Sequence, residues 1–295
     1  MPGLASNAEA SGRNRAIMQM LACAALWSIA GIFIKSIPWN PLAIAGGRSL
    51  ISAGVAFGFM RWQGMKWRFN RKSVVAGAML SLTFISFVSA NKTTTSANAI
   101  VLQYSAPIYI LVISAAVYKQ RFRAADFVVV GLTLGGIALC FADKMDSGSM
   151  VGNLIGLASG LFFALMFIST GRVDADTRMT GIVLGHLLTA AVGLPFLLLI
   201  PTAITGRAVL NLLVLGVFQL GVPYVLYGLA ADKCPPLAAC LLGIIEPILN
   251  PVWVFLFDGE LPGVYALAGG CVVIASVTVW TVNNARIQAR NVESA

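Results

Sequence analysis

The chain is written in long apolar runs separated by short clusters of charge and turn residues. About 20 apolar residues in a row cross a bilayer as a helix, so runs of roughly 17 to 25 residues are read as spans. Ten are expected, near Ala16–Ile34, Pro41–Met60, Ser73–Ala90, Ala97–Tyr118, Phe127–Ala142, Val151–Gly171, Thr180–Ile200, Ala208–Ala230, Leu237–Phe257 and Val264–Val282. The connections are too short for a soluble domain. Residues 1–15 read as a disordered tail and 285–295 as a second tail. Arg13 and Arg15 precede the first run without a small-residue cleavage pattern after it, so an uncleaved first helix is expected.

Composition closes off the soluble classes. The chain is 58% apolar and 11% charged, with a mean hydropathy of +0.86. A soluble domain carries roughly 25% charged residues, so this one cannot clothe a water-facing surface. A cytosolic enzyme, a secreted disulfide scaffold and a nucleic-acid-binding domain are excluded, despite a net charge of +9. The fold class expected is an all-α polytopic membrane protein.

The basic residues report topology instead. Of 20 Lys and Arg, Arg48 lies within a span, and only Lys35, Lys92, Lys144 and Arg207 fall in alternate connections. The other 15 share the opposite side, which the positive-inside rule assigns to the cytoplasm together with both termini. The five cysteines show no CxxC spacing and imply neither a disulfide nor a metal site. No cofactor is called for.

The sequence also repeats. A shift of about 140 residues lays Ala99, Pro107 and Ile108 over Ala239, Pro247 and Ile248, with Gln120 over Glu260. A shift of about 138 lays Pro41–Arg48 over Met179–His186, so Arg48 meets His186. Two five-helix repeats are expected, at 16–143 and 150–284. Because five is odd, the second would enter the membrane from the opposite side. Inverted repeats of this kind are built by secondary transporters, with the site at the repeat interface near the midplane. Pro107 and Pro247, at matching positions, are candidate hinges, since proline frees a carbonyl that only a protein-lined or cavity-lined position tolerates.

Three ionisable side chains fall inside spans: Arg48, His186 and Glu246. Charge in a membrane is costly, so such groups face the bundle interior and are paired or functional. Glu246 lies about ten residues into its span, near mid-depth, with Asn250 and Trp253 on its face. Arg48 is a candidate anchor for a substrate carboxylate and His186 a candidate gate; each also fits an interior hydrogen-bonding role. Gln103, Tyr104, Tyr109, Tyr224, Tyr227 and mid-span Trp27 add amphipathic groups suited to a cavity wall. Glycine pairs four apart, at 54/58, 131/135, 152/156/160 and 181/185, are expected to let helices approach closely.

The stretch Ile245-Glu246-Pro247-Ile248-Leu249-Asn250-Pro251, then Gly259-Glu260, together with Pro41–Arg48, Trp27 and Lys35, resembles the ten-helix EamA branch of the drug/metabolite transporter superfamily. Within it the chain looks most like bacterial aromatic amino-acid exporters of the inner membrane. The resemblance implies two repeats around a central cavity and export of amino acids, aromatic and other neutral ones with broad specificity, or similar small metabolites by alternating access, in a multi-pass inner-membrane protein that needs no oligomer. A drug or cationic-compound exporter is the alternative, and an intramembrane lipid-modifying enzyme a remote one, since a single histidine and no GxSxG or HExxH leave little to build a catalyst with. Ala106 stands where Glu246 stands in the second repeat, which leaves coupling to protons and facilitated export both open.

Overall fold

The computed structural model describes residues 2–142, 147, 149–200, 204–258 and 263–293, with no strand among them. The helices are α1 (Pro2–Trp27), α2 (Ala30–Lys35), α3 (Pro41–Trp62), α4 (Arg71–Thr93), α5 (Ser96–Gln103), α6 (Ala106–Tyr118), α7 (Ala124–Cys140), α8 (Met150–Gly171), α9 (Ala175–Leu199), α10 (Gly206–Val214), α11 (Val222–Ala230), α12 (Pro236–Gly243), α13 (Ile245–Asp258) and α14 (Val264–Glu293). A π-helical turn, Leu215–Gly221, joins α10 to α11.

Starts and breaks follow from local chemistry. Asn40, Asn70, Thr95, Asp174 and Thr205 each cap a helix by accepting a backbone N–H with the side chain, satisfying a donor that the first turn leaves unpaired. Breaks fall at Tyr104–Ser105, before Pro107, and at Ile244, before Pro247. The π turn likewise runs into Pro223. Each proline removes the N–H that would have closed the preceding turn.

Among the described residues seven segments are long and apolar enough to cross a membrane: Pro41–Trp62, Arg71–Thr93, Ala97–Tyr118, Met150–Gly171, Ala175–Leu197, Gly206–Ala230 and Val264–Ile287. Ala124–Cys140 and Pro236–Leu249 are apolar but shorter. The expected first span, Ala16–Ile34, is interrupted where α1 gives way to α2. The chain is a multi-pass membrane protein. The tails expected at residues 1–15 and 285–295 differ from the structure, in which α1 begins at Pro2 and α14 runs to Glu293. Ala5, Ala8, Glu9 and Ala10 are strong helix formers, and extending a nucleated helix is cheap.

The outer faces are apolar, and polar side chains are buried within a largely apolar core. Val112, Phe127, Val128, Leu210 and Val279 face outward and exposed, whereas Arg48, Asn98, Gln103, Arg178, His186 and Gln219 are buried. The pairing of helices is self-consistent under exchange of halves: α3 packs on α9 and α7 on α14, while α4 on α8 is matched by α11 on α1. Similarly, α5 and α6 lie on α8 as α12 and α13 lie on α1. Close contact needs glycine at several crossings, two of which show it clearly. At Gly193 a Cβ would lie 2.3 Å from Leu42 O, and at Gly185 one would lie 2.9 Å from Gly77 O. The expectation for 54/58 and 131/135 fails, because those glycines have nothing within 4 Å.

Candidate functional site

Aromatic rings from four columns of helix meet at the centre. Tyr224 on α11 packs against Trp27 at the end of α1 (5.3 Å between centroids), Phe84 on α4 (5.5 Å) and His186 on α9 (5.1 Å). Phe84 stacks on His186 at 5.5 Å. Phe163 on α8 extends the wall, 6.3 Å from Trp27 and 6.4 Å from Tyr104. Phe167 continues it to Tyr227 at 5.3 Å.

Two opposite charges border this wall. Tyr104 sits at the break between α5 and α6 and donates its hydroxyl to Glu246 Oε2 at 2.8 Å. Glu246 occupies the first turn of α13, just past the break at Ile244, where the exposed N–H groups favour a carboxylate. Arg48 on α3 donates from Nη1 to Gln219 Oε1 in the π turn at 3.1 Å. Arg48, Tyr224 and Glu246 lie within electrostatic reach of one another, yet Arg48 and Glu246 form no contact-distance ion pair among the described residues.

Several polar atoms here lack partners. Arg48 Nε, Trp27 Nε1 and His186 Nδ1 are buried and make no hydrogen bond among the described residues. Such a group costs about 1–3 kcal/mol, and native structures rarely leave one unexplained. Polar atoms without partners among aromatic rings, beside a cation and an anion that do not pair with each other, suit a bound zwitterion.

Several expected residues, inside this cluster or beside it, are also engaged by the bundle itself. His186 Nε2 shares a 2.9 Å hydrogen bond with Ser52 Oγ and so joins α9 to α3. Gln103 is spent on α8, donating to Ser159 Oγ at 2.9 Å. Trp253 donates to Ser28 Oγ at 2.7 Å, tying α13 to the break after α1. Tyr109 packs partly buried against the core, and Pro107 and Pro247 are buried beside their breaks. Tyr227 hydrogen-bonds Thr170. The side chain of Asn250, and Lys144 and Glu260, lie outside the described residues.

Sequence reasoning passed over Phe84, Phe163, Phe167 and Arg178. The repeat held a usable signal for two of them: the same shift of about 140 lays Phe84 under Tyr224 and Trp27 under Phe167, and Phe84 and Tyr224 touch. Arg178 reads as a connection charge, yet it is 2% exposed. It donates to Thr170 O, Val173 O and Gly228 O at 2.8 Å each, and to Asp232 Oδ1 at 2.7 Å.

The description EamA-like transporter family matches this chain twice, at residues 14–142 and 150–282. An uncharacterized transporter of Archaeoglobus fulgidus is 28% identical over 203 residues, 67% of this chain and 72% of that protein. The threonine/homoserine exporter RhtA of Escherichia coli K12 is 26% identical over 184 residues, 61% of this chain and 60% of RhtA. A crystal structure of another protein superposes with a TM-score of 0.78 over 92% of this chain and 98% of that one; at 18% identity this is a likeness of fold alone.

Proposed function

The chain belongs to the EamA-like transporter family, and on that premise we propose that it exports neutral amino acids, aromatic ones among them, from the cytoplasm by alternating access. In this reading Glu246 and Tyr104 receive the substrate ammonium, Arg48 its carboxylate, and Trp27, Phe163 and Tyr224 its side chain. The observation that carries it is a buried Arg48 and a half-buried Glu246 that do not pair with each other, bordered by aromatic rings and polar atoms without partners. An amino acid presents the matching pair of charges on one small frame.

The architecture proposed is ten spans in two inverted five-helix repeats, 16–143 and 150–284, in the inner membrane with both termini cytoplasmic. It is supported by the exchange symmetry of helix packing, the paired breaks before Pro107 and Pro247 and the Lys and Arg distribution. The breaks at spans four and nine are where a helix can hinge, with His186 bracing α9 on α3. RhtA, named for threonine and homoserine, argues for a panel that includes small polar amino acids.

A second reading, export of organic cations, draws on the same rings and the single carboxylate. The two separate in one assay on proteoliposomes preloaded with labelled phenylalanine or threonine. Competition by the parent amino acid should exceed that by its decarboxylated amine and by its deaminated acid. An amine that competes as well as the amino acid would transfer the site to cations.

A further inference from the structure

Away from that site, a cleft of about 290 Å³ opens at the basic end of the bundle, between the middle of α1, the α6–α7 connection, the α11–α12 connection and the C-terminal half of α14. Four cations line it: Arg13, Arg121, Arg123 and Lys233. Among the described residues its lining holds one carboxylate, already committed, since Asp126 Oδ1 accepts from Trp280 Nε1 and Oδ2 from the Arg123 backbone N–H, both at 2.8 Å. Ile17, Phe122, Leu237 and Leu242 supply an apolar wall. The α7 and α14 helices that flank it expose further apolar side chains, Phe127 and Val279. Arg121 and Lys233 are exposed.

A topology signal alone needs cations anywhere at the cytoplasmic end. It does not need them gathered in a concavity that is polar at the headgroup level and greasy below. We propose that this cleft binds the phosphate headgroup of an anionic phospholipid, with an acyl chain along α14 and α7. The phosphate meets Arg121 and Lys233, and the chain meets Phe122 and Trp280. Anionic lipids of the cytoplasmic leaflet are drawn to such clusters. The inference rests on the membrane orientation proposed above but not on the transport site, and no residue of that site lines the cleft.

Trp280 gives the test a local reporter. Brominated phosphatidylglycerol, titrated into full-length protein in phosphatidylcholine nanodiscs, should quench tryptophan fluorescence saturably and more strongly than brominated phosphatidylcholine. The excess quenching should vanish in Trp280→Phe. It should need about 30-fold more lipid in the Arg121→Ala/Lys233→Ala double variant, which keeps its melting temperature and its amino-acid counterflow. Equal quenching by the two headgroups, or an unshifted titration in the double variant, overturns the proposal. Displacement of the lipid by millimolar inorganic phosphate also overturns it, and reassigns the cleft to a soluble anion.

Discussion

Removing the Arg178 guanidinium should cost far more than its place near a helix start suggests. Arg178 stands in the first turn of α9, where a cation opposes its own helix dipole. It gains by reaching back to Thr170 in the last turn of α8, to Val173 in the connection just beyond it, and to Gly228 near the end of α11. Those carbonyls lack intrahelical partners, so one side chain caps two C-termini. Asp232 adds an ion pair at 2.7 Å, but its side chain is 50% exposed against 2% for Arg178, so that contact is worth about 1 kcal/mol or less. Leaving two or three buried acceptors unmet, at about 1–3 kcal/mol each, puts Arg178→Ala at about 3–5 kcal/mol. That corresponds to a fall in melting temperature on the order of 10 °C. Arg178→Lys keeps the charge but lacks the fork and should recover about half. Asp232→Asn should cost less than about 1 kcal/mol. Thermal unfolding in one detergent, followed by tryptophan fluorescence, measures all three. A melting temperature for Arg178→Ala close to wild type would refute the capping argument. Asp232→Asn as damaging as Arg178→Ala would place the energy in the ion pair instead.

The helix crossings make an opposed pair of predictions. Gly193→Ala, whose Cβ would sit 2.3 Å from Leu42 O, should lower stability by about 1–3 kcal/mol. Gly131→Ala, with nothing within 4 Å, should be neutral or stabilising by up to about 1 kcal/mol; parallel melting curves decide. Tyr104→Phe, which deletes the hydrogen bond to Glu246, should raise the half-saturation of transport about tenfold, whereas Tyr109→Phe should leave it unchanged. At the start of α9, hydrogen bonds from Thr177 hold the Asp174 carboxyl below its usual 3.8. The cap is therefore strongest above that pH and weakens as pH falls through the lower folded value. Asp174→Ala should cost about 1 kcal/mol near neutrality, and the gap in melting temperature to wild type should narrow below pH 3.8.

Hydropathy made the helices legible, because a bilayer imposes one length and one composition on anything that crosses it. The proline pair was legible for a related reason, since Pro107 and Pro247 mark the breaks that bring Tyr104 and Glu246 together. Side-chain direction was not legible. Phe163 in its apolar run looks like any lipid-facing phenylalanine, and only packing shows that it faces Trp27. Gly131 and Gly185 stand in the same small-residue spacing, yet one is bare and the other lies against Gly77. Arg178 was misread for the opposite reason: position near a helix start suggested solvent, whereas the two helix ends behind it drew it inward. Gln103 and Trp253 carry polar groups that the bundle itself consumes. A sequence does not reveal which polar tip is spent on a neighbouring helix and which is kept for a ligand.

The central claim is that Glu246 and Arg48 bind the two ends of one zwitterion. Counterflow of labelled phenylalanine and threonine into preloaded proteoliposomes, in wild type and in Glu246→Gln, tests it most directly. Wild type should accumulate label. Glu246→Gln, with Tyr104 and the aromatic wall intact, should lose at least tenfold in rate at low substrate, as expected when one of a close charge pair is removed. Counterflow in Glu246→Gln equal to wild type, or no accumulation of either amino acid by wild type, would contradict the account.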